Sequence, residues 1–136
     1  MLEKDCFLKK HFRVIVKIVF GRRGNFGEEF KNNKMEKNIY KNTGIRMLVI
    51  QEICSLAEKY NVNKVILFGS RARGDFRELS DIDLASSGGD FVRFSLDVDE
   101  LTSTLLEYDI INLEGAVQKE LLDSINKEGV VLYEKI

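Results

Sequence analysis

Val65-Ile66-Leu67-Phe68-Gly69-Ser70-Arg71-Ala72-Arg73-Gly74-Asp75-Phe76-Arg77-Glu78-Leu79-Ser80-Asp81-Ile82-Asp83-Leu84 holds two short strands and a polar connection between them. Val65 to Phe68 is wholly apolar, the pattern of a buried strand. Gly69-Ser70 ends it, and Arg71 to Arg77 is expected to form a short helix and turn. Asp81 to Ala85 alternates, which predicts a second strand with Ile82 and Leu84 turned into the core.

That alternation puts Asp81 and Asp83 on one side of the strand, with Cα atoms ~7 Å apart. Two like charges held together in a fold are costly unless something positive lies between them. A hard divalent cation does this, and Mg²⁺ favours one or two carboxylates together with phosphate oxygens. Gly69-Ser70 stands where the first strand meets a helix start, and free backbone N–H groups there favour a phosphate. Gly69 allows close backbone approach, Ser70 adds a hydroxyl, and Arg71 and Arg73 supply charge suited to phosphate. Each feature alone is ordinary: a solvated strand end, a turn, a charged helix face. Together, ten residues apart, they are the parts needed for transfer from a triphosphate.

Outward from this stretch the pattern alternates between helix and strand. Thr43 is a candidate cap, followed by Ile45, Leu48, Val49, Ile53, Leu56, Ala57 and Tyr60 at helical steps. Asp90 to Glu107 reads as mainly helical, with Val98, Leu101 and Leu105 on one stripe. Tyr108 to Leu113 is a third strand. Val117, Leu121 and Ile125 mark another helix, stopped at Gly129, before a last strand from Val130 to Tyr133. The expected fold class is α/β (α+β), a small mixed sheet covered by helices, mainly on one face.

With 136 residues the chain suits one domain with one core. Its 44% apolar and 32% charged residues exclude a disordered or membrane-embedded chain. The longest apolar runs, Val14 to Val16 and Val65 to Phe68, are far below the ~20 residues a spanning helix needs. With no secretory signal pattern at the N-terminus, a cytoplasmic protein is expected. Cys6 and Cys54 lack metal-like or redox spacing and read as free thiols, Cys54 within a core. The lone His11 reads as a bystander.

Charge is uneven. Residues 1–34 carry nine Lys/Arg against four Asp/Glu, whereas 35–136 carry twelve against eighteen. The acidic remainder does not suit sequence-specific nucleic-acid binding. The first 34 residues do not read as part of the core domain, expected over 35–136. Phe12 to Phe20 could form a strand, but Gly21 to Lys34 is polar and rich in Gly and Asn. One reading starts translation at Met35; the other is a genuine extension.

Gly69-Ser70, ten residues, then Asp81-Ile82-Asp83 resembles the signature of the DNA polymerase-β-type nucleotidyltransferase superfamily. The string from Gly69 to Leu84 is similar to its minimal nucleotidyltransferase branch. The resemblance extends over roughly Ile45 to Ile136. It implies a third carboxylate on a later strand, a position that Asp109 fits; Asp97, Asp99 and Glu107 are nearby alternatives. It further implies catalysis by Asp81, Asp83 and Asp109 with two Mg²⁺ ions, and ATP as the nucleotide donor. Gly69 and Ser70, with Arg71 and Arg73 as further candidates, would bind the triphosphate, although either arginine could pair with Asp75 or Glu78 instead.

So short a chain leaves little room for an acceptor-binding domain. In the resembling branch the acceptor belongs to a HEPN-type or four-helix substrate-binding protein encoded nearby. The transferase of such a pair acts as antitoxin by adding AMP to a tyrosine of the toxin. Two alternatives are a small-molecule, antibiotic-type transferase completed by a separate chain, and a binding antitoxin without catalysis. A chain begun at Met35 is expected to stay soluble and keep full activity. Loss of either on deleting residues 1–34 would make Phe12 to Phe20 an element of the fold.

Overall fold

The computed structural model describes Asn38 and residues 41–135. Cys6, His11, the candidate strand from Phe12 to Phe20 and the rest of residues 1–34 lie outside them. The order of elements is α1 (Met47–Lys59), β1 (Lys64–Phe68), α2 (Gly69–Arg73), β2 (Ile82–Ser87), α3 (Phe91–Leu101), β3 (Tyr108–Asn112), α4 (Lys119–Glu128) and β4 (Val130–Glu134). The strands form one mixed sheet in the order β3-β2-β1-β4. β1 runs antiparallel to both β2 and β4, while β2 and β3 are parallel, joined by α3.

Alternation along the strands divides the sheet into two faces. Val65, Leu67, Ile82, Leu84 and Leu132 join a larger core with α1 and α3. Ile66, Phe68 and Ala85 join a smaller one closed by Ile125 of α4, with Leu121 and Ile111 packed against it. Both faces are therefore covered, unequally. Among the described residues no helix is long and apolar enough to cross a membrane.

The α1 stripe differs from its expected form. Met47, Val49, Ile50, Ile53, Cys54 and Ala57 are buried, whereas Leu48 is exposed. Thr43 does not cap this helix. Its hydroxyl accepts from the Ile45 N–H at 3.1 Å, and Arg46 occupies the N-cap position without a side-chain bond. Cys54 lies in the core and donates to the Leu132 carbonyl, and burial pushes its thiol pKa up.

α3 is shorter than expected. Asp90 caps it through the Arg93 N–H, and it ends at Leu101 with no glycine or proline to stop it. Side chains do that instead. Thr102 gives its one hydroxyl proton to the Val98 carbonyl at 2.6 Å, so Tyr108 must donate to Thr102 Oγ1 at 2.8 Å. Glu52 of α1 accepts from both the backbone and the hydroxyl of Ser103. The chain therefore leaves the helix at Thr102, and Leu101 and Leu105, expected on the apolar stripe, are exposed. Phe94 and Val98 carry the packing.

Phe94→Ala is expected to destabilise the fold by ~3–5 kcal/mol, the cost of a large aromatic cavity. Leu79, 83% exposed, should tolerate alanine within about 0.5 kcal/mol. Urea denaturation checks both: the midpoint falls for the first, with unchanged slope, and stays for the second.

Candidate active site

Sheet register brings two of the expected carboxylates together. Asp83 of β2 lies opposite Phe68 on one side and opposite Asp109 of β3 on the other. In a parallel pair, residues in register share a face, so both side chains stand on the side of Ala85 and Ile111, at the edge of the smaller core. Asp81 is not in the strand as expected. β2 begins at Ile82, and Asp81 is the exposed residue just before it. Of the alternatives to Asp109, Asp97 accepts a hydrogen bond from the Tyr60 hydroxyl, and Asp99 and Glu107 are exposed.

The electrostatics follow from this proximity. The Asp83 carboxyl is held above its ordinary pKa, first by burial, then by the neighbouring charges of Asp109 and Asp81; Arg73 and Arg71 pull it partly back. Among the described residues no three or more His, Cys, Asp or Glu form a ready-made metal cage. The donor set nevertheless fits a hard divalent ion. It offers carboxylate oxygens whose mutual repulsion a cation relieves, with further ligands left to phosphate and water.

Gly69 has a more specific task than close approach to a ligand. Its φ of +73° lies in the left-handed region, and a Cβ built there would overlap the Asp83 carboxylate. The sequence shows that a glycine is present; only the sheet reveals that Asp83 is what requires it. The helix that follows starts at Gly69 rather than Arg71 and runs only to Arg73, capped by Gly74 in the left-handed conformation. Five residues make a small dipole, so a phosphate at this turn would rely mainly on first-turn N–H groups and on the hydroxyl of the half-buried Ser70.

The two arginines part company. Arg71 is 1% exposed, and its guanidinium donates to the carbonyls of Thr43, Glu78 and Ser80. This corrects the expectation that Arg71 contacts a triphosphate, because its fork is turned into the protein. Arg73 is exposed. Its Nε pairs with Asp75 at 3.3 Å and its Nη1 with both oxygens of Glu128 at 3.0 Å. Glu128 lies 55 residues away at the end of α4, and no local pattern marks it. A groove of about 510 Å³ between residues 44–49 and 102–106 is lined by none of the candidate site residues.

Comparison with known proteins gives these features a family. Residues 51–136 match the family model described as polymerase beta, nucleotidyltransferase. A protein of Methanocaldococcus jannaschii, provisionally named a protein adenylyltransferase, is 37% identical over 90 residues, covering 58% of this chain and 88% of its own. A toxin–antitoxin crystallised with AMP-PNP is 23% identical, with a TM-score of 0.53 over 63% of this chain and 73% of that one. A mutant of the toxin–antitoxin MntA–HpeT is 22% identical, with a TM-score of 0.52 over the same shares. At these identities the two structures speak for the fold.

The raised pKa of Asp83 gives a stability test with a definite sign. Its folded-state penalty is absent below the unfolded value of about 3.9 and grows as pH rises through the higher folded value. In EDTA, Asp83→Asn is therefore expected to melt higher than wild type at pH 7, with the gain vanishing by about pH 3. Calorimetry across that range checks it. A gain independent of pH would remove the cost of the half-buried ionised carboxylate as the cause.

Proposed function

Since the chain belongs to the polymerase beta nucleotidyltransferase family and is a nucleotidyltransferase, we propose that it transfers AMP from ATP to a protein hydroxyl. The acceptor in this reading is a tyrosine of a HEPN-type helical toxin, and the chain is the antitoxin of the pair, working in the cytoplasm. The observation that carries the chemistry is the register of Asp83 against Asp109 beside Gly69. The name of the archaeal relative and the toxin–antitoxin neighbours support the class of acceptor.

Each residue then has a task. Asp81 and Asp83 would hold Mg²⁺ together with the triphosphate, and Asp109 would share in the acceptor side. Bound Mg²⁺, two ions in the family's scheme, supplies charge stabilisation at the attacking and leaving oxygens. The backbone N–H groups after Gly69 and the Ser70 hydroxyl bind the outer phosphates. Asp109 accepts the proton of the acceptor hydroxyl. The oxygen so freed forms a bond to the α-phosphorus, the bond from that phosphorus to the bridging oxygen breaks, and pyrophosphate leaves. Arg73, held by Asp75 and Glu128, contributes positive charge near Asp83.

Asp109→Asn separates nucleotide binding from transfer. It is expected to bind Mg-ATP and the helical partner with nearly normal affinity, while transfer falls by at least ~10²-fold, the low end for losing a positioned base. Titration with ATP and mass spectrometry of the partner, on one variant, provide the comparison. Normal transfer by this variant would remove Asp109 from the mechanism. A wild-type protein that binds ATP and partner but never transfers AMP would instead support an antitoxin that acts by docking.

A further inference from the structure

We infer that Arg71 is a positioning residue for Asp81, acting through the backbone of the loop that carries it; the inference rests on the transfer reading above. Asp83 and Asp109 are placed by the sheet, because both lie within its paired strands. Asp81 has no such placement. It stands just outside β2, at the end of residues 74–81, which form neither helix nor strand. On one flank the Ile82 N–H donates to the Glu107 carbonyl at 2.8 Å. On the other, Arg71 Nε donates to the carbonyl of Ser80 at 3.0 Å, one peptide bond from Asp81.

The rest of the guanidinium makes that hold rigid. Nη2 donates to the Glu78 carbonyl at 3.1 Å and Nη1 to the Thr43 carbonyl at 2.9 Å. Phe76, from the same loop, lies 4.8 Å from the guanidinium carbon. Gly44 has a φ of +65°, and a Cβ there would come within 2.6 Å of Arg71 Nη1. One planar fork thus joins the segment before α1, two carbonyls of the loop and one of its rings. A buried cation needs such partners. An ammonium has three donors on a point charge and cannot span carbonyls arranged around a plane.

Arg71→Lys keeps the charge and loses the fork. Three measurements on the folded variant test the role: ATP affinity in EDTA, Mn²⁺ affinity of the ATP complex by electron paramagnetic resonance, and amide exchange of residues 75–81. ATP affinity in EDTA is expected to stay within about threefold of wild type. Mn²⁺ affinity should fall by at least ~10-fold, as when a residue that orients a metal ligand is lost, and the 75–81 amides should exchange faster. Unchanged Mn²⁺ affinity would overturn the inference. So would a matching loss of ATP affinity in EDTA, which is the signature of direct phosphate contact. If the lysine variant does not fold, Phe76→Leu removes the stack and leaves the fork. Weaker Mn²⁺ binding with faster loop exchange then supports the inference, and unchanged values overturn it. A wild-type protein whose ATP complex takes up no Mn²⁺ would overturn the transfer reading itself, a result distinct from an effect confined to the variants.

Discussion

Parallel pairing of β2 with β3 sets Asp83 directly against Asp109, and the sheet holds them there although like charges repel. Much of the site answers to that contact. Gly69 lacks a side chain because Asp83 occupies the space, and it turns through a positive φ in the same place. Arg73, paired with Asp75 and Glu128, partly offsets the upward shift of the Asp83 carboxyl. Hydrophobic alternation makes the arrangement possible. Ile82 and Leu84 are anchored in the larger core, so β2 cannot slip by one residue without turning Asp83 into that core.

The acids reach the site by two kinds of structure. Asp83 and Asp109 depend on ladder hydrogen bonds and the burial of their strand neighbours. Asp81 depends on a loop, and a loop has no ladder. An arginine between a candidate phosphate-binding turn and a candidate metal-binding motif looks from composition like a further phosphate ligand. Burial gives it a different character, since a guanidinium sealed from solvent and bonded to three carbonyls organises backbone. Its neighbour two residues on, exposed and paired with carboxylates, remains available at the surface.

Periodicity served the helices unevenly. Ile53 and Ala57 of α1 are buried as their spacing implies, while Leu48 faces out because the buried stripe runs through Met47, Ile50, Cys54 and Ala57 and leaves position 48 off that face. The stripe through Leu101 and Leu105 failed for a different reason. The helix is ended by Thr102, bonded to Val98 one turn back, and by the grip of Glu52 on Ser103, a contact made across the fold that no local pattern marks. The smaller core was equally hard to foresee, because α4 covers a face whose apolar residues come from all four strands.

The sequence alone determined the alternation of helices and strands and the signature from Gly69 to Asp83, while Asp109 entered as a candidate that the family resemblance implies. These are encoded locally, by residue type at fixed spacing, and short spacing survives any folding. Tertiary structure decided which strand lies beside which, that Asp83 faces Asp109, that Gly69 makes room for a carboxylate, and that Arg71 and Arg73 have opposite surroundings. Those are relations between residues from 2 to 70 positions apart. They exist only once burial of the apolar faces has set the strand order, and with it the neighbours that each charged side chain meets.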